Sequence, residues 1–64
     1  MMYFQAVMKV KPRKPTRGRL EIPPDGILRR QVWAVDSWAA MYDFKQWIVE
    51  QGLDVEYFKM KEVE

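Results

Sequence analysis

Apolar and polar side chains alternate near the start of the chain. The apolar residues of one parity are Phe4, Ala6, Met8 and Val10. The other parity is mostly polar and includes Lys9 and Lys11. A period of two is typical of a strand with one buried face, so we predict a strand from Met2 to Lys11. Pro12 has no amide hydrogen to donate to a neighbouring strand, and it ends the pattern.

A helical period appears between Asp36 and Gly52. When successive residues are placed about 100° apart around an axis, five apolar residues fall on one arc. They are Ala40, Met41, Phe44, Trp47 and Ile48. The opposite, solvent-facing arc carries Ala39, Asp43, Gln46 and Glu50. Asp36 and Ser37 suit the start of a helix, and Gly52 adopts without strain the left-handed conformation that often ends one, so we predict a helix over 36–51.

Two further strands flank this helix. Residues 27–35 are rich in β-branched and aromatic side chains, which favours a strand. Residues 53–63 form the third predicted strand, but their apolar side chains change parity between Val55 and Phe58. A β-bulge near Glu56 and Tyr57 would keep both groups on the buried side of the sheet.

A long segment, residues 12–26, separates the first two strands and holds all four prolines and two of the three glycines. We predict a loop here, called the basic loop because its first half is rich in lysine and arginine. Residues 20–22 could add a short edge strand. The order of elements then predicts a single α+β domain over residues 1–64, with a sheet of three strands, or four if residues 20–22 join it, the first strand in its centre and the helix across one face.

The predicted core is made of apolar residues from all four elements. They are Phe4, Ala6, Met8, Val10, Val32, Ala34, Ala40, Met41, Phe44, Trp47, Ile48, Leu53, Val55, Phe58 and Met60. Trp38, Tyr42 and Val49 fall on a separate arc of the helix beside Lys45. Either these three pack under the basic loop, or they form an exposed interface for a partner or for a second copy of the chain.

Composition removes most catalytic chemistry. The chain has no cysteine and no histidine, and Ser37 and Thr16 are its only alkyl hydroxyls. Disulfides, thiolate metal sites and the usual nucleophile-base pairs are therefore excluded. We expect no enzyme activity, no cofactor and no metal ion. No apolar run reaches the roughly 18 residues of a membrane span, so we expect a soluble, cytoplasmic protein without a membrane partner.

Charge is distributed unevenly along the chain. Residues 1–32 carry eight basic and two acidic side chains, whereas residues 33–64 carry three basic and seven acidic ones. The basic half suits a nucleic acid or an acidic partner, although a solvated loop that keeps the protein soluble would look the same. The candidate contacts are Lys11, Arg13, Lys14, Arg17, Arg19, Arg29 and Arg30. The aromatic residues available for stacking are Tyr3, Trp33 and Tyr57.

The C-terminal half resembles a family of small phage proteins. Residues 32–37 read VWAVDS, a helix with alanines in its first turn follows, and residues 52–59 read GLDVEYFK. The pattern is similar to that of the T7-type phage inhibitors of bacterial RNA polymerase, which have the same element order and nearly the same length. In that family arginines of the last strand and acidic residues nearby contact the polymerase. Lys59 stands in place of one such arginine, and Tyr57 replaces the other.

Two functions follow as hypotheses. The resemblance implies a non-enzymatic bacteriophage protein that acts in the host cytoplasm by binding a host complex and inhibiting or redirecting it, with RNA polymerase as one candidate. Its protein-contacting residues, on the outer face of the last strand, would be Tyr57, Lys59 and Lys61. The alternative is a nucleic-acid-binding module that acts through the basic loop.

Overall fold

The computed structural model describes residues 1–14 and 17–63. Its elements are strand β1 at Met2–Val10, strand β2 at Ile27–Ala34, helix α1 at Ser37–Gln51 and strand β3 at Val55–Val63. The predicted α+β class and the order strand, strand, helix, strand are confirmed. Pro15 and Thr16 of the predicted loop and the C-terminal Glu64 lie outside the described residues.

The sheet has the strand order β2-β1-β3, and both outer strands run antiparallel to β1. The predicted central position of the first strand is confirmed. Residues 20–22 form no strand, so the sheet of the described residues has three strands. The carbonyl of Leu20 instead accepts a hydrogen bond from the Arg13 guanidinium at 3.0 Å, and two prolines without amide hydrogens follow at Pro23 and Pro24.

Both ends of α1 are capped as predicted. The carboxylate of Asp36 accepts a hydrogen bond from the amide of Ala39 at 2.8 Å. Gly52 has a φ of 63°, and the amide of Leu53 donates to the carbonyl of Ile48 at 3.1 Å, as in a Schellman motif. Leu53 therefore belongs to the end of the helix, and β3 begins later than predicted. No helix in the described part of the chain is long and apolar enough to cross a membrane.

The predicted bulge is present in β3. Lys9 lies opposite Tyr57, whereas the next residue of β1, Val10, lies opposite Val55. Glu56 is therefore the extra residue between two ladder positions. Because of this insertion, the apolar residues before and after the parity change all pack against the core, as predicted.

The core lies between the sheet and α1. Its buried side chains are Phe4, Ala6, Met8, Val10, Ala34, Ala40 and Phe44, and all seven belong to the predicted core. The other predicted core residues that pack partly buried against this cluster are Val32, Trp47, Ile48, Leu53, Val55, Phe58 and Met60. The rings of Phe44 and Phe58 meet edge to face with centroids 6.1 Å apart, which ties α1 to β3.

The orientation of α1 differs from the predicted one at two residues. Met41, predicted in the core, is half-buried and lies outside the core cluster, whereas Ala39, predicted on the solvent side, packs against it. The helix is rotated about its axis so that Asp43 faces Arg30 of β2, and this rotation places Met41 at the edge of the buried face of the helix. The sequence pattern also missed three partly buried core residues, Met2, Ile22 and Leu28.

Candidate functional site

The face of the sheet opposite α1, here called the open face, carries the odd-numbered side chains of β1. The even-numbered residues Phe4, Ala6 and Met8 are buried under the helix, so the residues between them point the other way. Residues that pair across strands share a face, and the registers extend the pattern to β2 and β3. The four rows across the open face are Trp33-Tyr3-Val63, Gln31-Gln5-Lys61, Arg29-Val7-Lys59 and Ile27-Lys9-Tyr57.

These rows bring four cations onto one surface, namely Lys9, Arg29, Lys59 and Lys61. None of the residues that the registers place on this face is acidic. Glu56 in the bulge and Asp25 in the turn before β2 lie at its Lys9 end. Asp43 and Glu50 lie on the helix, and Asp36 is its N-cap. The helix side also carries cations, but acidic side chains lie among them there, whereas none lies among the four cations of the open face.

Aromatic rings occupy both ends of the open face. At one end the ring centroids of Tyr3 and Trp33 are 4.6 Å apart, and the Tyr3 hydroxyl donates a hydrogen bond to the side-chain carbonyl of Gln31. Trp33 is nevertheless 62% exposed. At the other end Tyr57 is 55% exposed. Large aromatic rings that are left in contact with solvent are enriched at binding surfaces.

A shallow depression of about 230 Å³ lies on the open face between β1 and β3. Its lining residues are Gln5, Val7, Tyr57, Lys59 and Lys61. The three residues predicted to contact a protein partner therefore lie side by side along β3 and share one surface. The lining of the depression combines the apolar side chain of Val7 and the ring of Tyr57 with two lysines, which suits a ligand that is both planar and anionic.

The basic loop does not present its cations as one surface. The Arg13 guanidinium donates from Nη1 to the carbonyls of Gln51 (2.8 Å) and Gly52 (3.3 Å), and from Nη2 to that of Leu20 (3.0 Å). Nη1 of Arg19 also lies close to Gly52, about 3.0 Å from the position that a Cβ there would occupy. Two guanidinium groups thus lie near the C-terminal end of α1, where the carbonyl groups carry partial negative charge.

The other cations predicted to bind a nucleic acid or an acidic partner are dispersed. Nζ of Lys11 lies 3.5 Å from a carboxylate oxygen of Asp54, and both side chains are exposed. Lys14 and Arg17 are exposed residues of the loop. Arg29 belongs to the open face, where its partner across the ladder is Val7.

Arg30 points to the helix side of the sheet. Its ladder partner is Ala6, whose small side chain leaves room above it for the long arginine. One terminal nitrogen lies 3.4 Å from the Asp43 carboxylate, and the guanidinium carbon lies 4.9 Å from the centre of the Trp47 ring. Nε is buried without a hydrogen-bond partner among the described residues. Arg30 thus connects β2 to α1 and is not part of the open face.

The third arc of α1 is exposed in the described structure. Trp38, Tyr42 and Val49, here called the helix patch, are 83%, 65% and 75% exposed. Of the two alternatives drawn from the sequence, packing under the loop is not observed among the described residues. Trp38, Tyr42, Met41 and Lys45 line a groove of about 90 Å³.

The residues named from the sequence as candidate contacts did not include Lys9, which the structure places on the open face opposite Tyr57. The signal was present in the alternation of β1, because Lys9 follows the buried Met8. What the pattern lacked was the register that brings cations of three strands together. No group of three or more acidic side chains arranged to hold a metal ion occurs in the described part of the chain.

No protein-family model, curated protein or solved structure matches this chain.

Proposed function

We propose that the protein is a non-enzymatic binding module that binds a nucleic acid on the open face of its sheet. The observation that carries the proposal is the composition of that face: four cations, exposed aromatic rings at both ends, and no acidic residue among the twelve register positions. Phosphates attract lysine and arginine, and bases stack on aromatic rings. A nucleic acid supplies both groups in alternation.

The proposal shifts the expected contact surface from the basic loop to the sheet. Arg13, Arg19 and Arg30 lie against the helix, and Lys11 lies beside Asp54. These residues hold elements together and contribute to binding mainly through the net charge of the molecule.

The test is direct binding of fluorescently labelled DNA and RNA over a range of salt concentrations. Lys59→Glu reverses a charge in the centre of the open face, and Lys45→Glu makes the same change on the helix. We expect Lys59→Glu to weaken binding about tenfold or more and Lys45→Glu to leave it within about twofold, because phosphate contacts act over short distances at physiological salt. Equal effects of the two variants, or no binding by the unchanged protein, would overturn the proposal.

A second candidate is supported by the position of Tyr57, Lys59 and Lys61 in and around the depression on β3. In this proposal the protein is a phage-encoded inhibitor that binds bacterial RNA polymerase in the host cytoplasm, and the same surface contacts an acidic region of the enzyme. The supports are the sequence resemblance and the positive charge of the face.

Purified polymerase separates the two candidates. If the second holds, the protein inhibits transcription at a ratio near one to one, Lys59→Glu relieves the inhibition, and the protein binds polymerase that has no DNA. Inhibition that disappears when excess single- or double-stranded DNA is added would instead favour nucleic-acid binding as the activity of the open face.

A further inference from the structure

The arrangement of groups along the open face distinguishes its two ends from its middle. Tyr3 and Trp33 form one end row, and Tyr57 lies in the opposite end row beside Lys9. The two end rows are six positions apart along β1, from Tyr3 to Lys9, which corresponds to about 20 Å at roughly 3.4 Å per residue. The middle rows hold Arg29, Lys59 and Lys61 together with two glutamines, Gln5 and Gln31.

We infer that the open face binds an unpaired nucleic-acid strand of about four nucleotides, which lies along the strand direction with one base stacked at each end. This inference rests on the proposed function and specifies its ligand. The end bases stack on Trp33 and on Tyr57, and the phosphates between them contact Arg29, Lys59 and Lys61. The glutamine amides can both donate and accept, and they lie where the edges of the intervening bases pass.

Stacking excludes a duplex as the preferred ligand. In a duplex each base face is covered by its neighbours, so the exposed rings of Trp33 and Tyr57 would have no partner. The major groove admits a helix or a two-stranded ribbon, whereas this surface belongs to a three-stranded sheet about 10 Å across its strand axes. The helix lies on the opposite face and cannot enter a groove while the open face is in contact.

The dimensions and charges limit the site to a short strand. A length of about 20 Å places it at the low end of the ~4–16 nucleotides that single small domains cover. At most four cations on the face reach phosphates. Each contact on a single strand contributes roughly −0.7 to the slope of log affinity against log salt, so the magnitude of that slope should be no larger than about 2.8. Glu56 and Asp25 at the Lys9 end repel phosphates there, so we expect fewer than four contacts and a shallower salt dependence.

Tryptophan fluorescence provides a test in which stacking is observed directly. The chain has three tryptophans, Trp33, Trp38 and Trp47, and only Trp33 lies on the open face. We would titrate the full chain with unlabelled oligo-dT of two to eight nucleotides, with a blunt duplex long enough to stay fully paired, and with a poly-glutamate peptide of equal charge. The matched variants are Trp33→Phe and Trp38→Phe, which remove one exposed indole each from opposite sides of the molecule.

We expect oligo-dT to quench the fluorescence, and its affinity to rise with length up to about four nucleotides and then level off. We also expect oligo-dT to bind at least about tenfold more tightly than the duplex. Quenching is lost in Trp33→Phe and kept in Trp38→Phe. Trp33→Ala weakens oligo-dT binding about tenfold, because stacking on a ring is lost.

Four results would overturn the inference. Equal or tighter binding of the duplex, or quenching that persists in Trp33→Phe, would show that the face does not stack unpaired bases, while the proposed nucleic-acid function would stand. Equally tight binding of poly-glutamate would show that charge alone is recognised. No binding of any oligonucleotide would overturn both the inference and the proposed function.

Discussion

The guanidinium of Arg13 donates a hydrogen bond to the carbonyl of Gln51 at 2.8 Å across 38 positions of sequence. It also reaches Gly52 at the end of α1 and Leu20 in the basic loop. One side chain therefore ties the start of the loop, its middle and the last turn of the helix together. The sequence suggests a phosphate contact for Arg13, whereas in the fold its side chain holds the basic loop against the end of α1.

Replacing Arg13 should lower the stability of the protein. We expect Arg13→Ala to reduce the free energy of unfolding by about 1–2 kcal/mol, because hydrogen bonds from a charged donor to partly buried carbonyls are lost. Arg13→Lys should recover only part of it, since an ammonium group cannot hold the same planar geometry. Urea denaturation followed by circular dichroism measures both. Arg17→Ala, at an exposed position of the same loop, serves as control and should stay within about 0.5 kcal/mol.

The elements of the fold could be predicted from the sequence, whereas the role of Arg13 in the basic loop could not. Period-two alternation, the Asp36 cap and Gly52 were enough to predict the elements, the bulge and nearly all of the core, because these depend on local chemistry. The role of Arg13 depends on a contact between residues 38 positions apart. No local pattern distinguishes such an arginine from a solvated one.

The open face was only partly predictable for a related reason. Tyr57, Lys59 and Lys61 share a parity and could be grouped from the sequence of one strand. Their association with Lys9 and Arg29 requires the register of three strands, and a shift of one residue would send each side chain to the other face. Arg29 and Arg30 are neighbours in sequence, yet they lie on opposite sides of the sheet.

Two glycines with similar backbone angles should respond differently to alanine. Gly26 has φ 72°, and a Cβ there would lie 2.7 Å from the carbonyl oxygen of Val10, whereas Gly18 has φ 80° and open space around it. Both substitutions meet the left-handed penalty of about 1–2 kcal/mol. We expect Gly26→Ala to cost more than Gly18→Ala by at least about 1 kcal/mol, because β1 and the turn before β2 must separate.

Chemical denaturation of the two variants gives the comparison directly. Equal losses would show that the backbone conformation alone sets the cost at Gly26, and that the turn moves away from Val10 freely.

The contact of Arg30 with Asp43 should contribute to the docking of α1 on β2. A double-mutant cycle with Arg30→Met and Asp43→Asn isolates the pair, and we expect a coupling energy of about 0.3–1 kcal/mol, since both side chains are partly exposed. Raising the salt concentration should reduce that coupling. Glu50→Gln on the same helix is the control for a general effect of charge. A coupling of zero at low salt would show that Arg30 acts only through its contact with the Trp47 ring.

The helix patch leads to a prediction about self-association. Trp38 and Tyr42 are the residue types that most often dominate interfaces, and both expose most of their surface. The patch covers one side of a 15-residue helix, so an interface built on it alone is below the size of stable dimers and should be weak. We expect a monomer-dimer equilibrium that becomes visible by sedimentation velocity only at high protein concentration.

Variants on the two faces separate this association from binding at the sheet. Trp38→Ala combined with Tyr42→Ala should keep the protein monomeric and leave oligonucleotide binding unchanged, because the patch and the open face lie on different sides of the fold. Trp33→Ala should weaken oligonucleotide binding and leave self-association unchanged. A protein that stays monomeric at every concentration would leave the helix patch without a role in self-association. Loss of dimerisation in Trp33→Ala alone would place the interface on the sheet, where a second copy would compete directly with the nucleic acid.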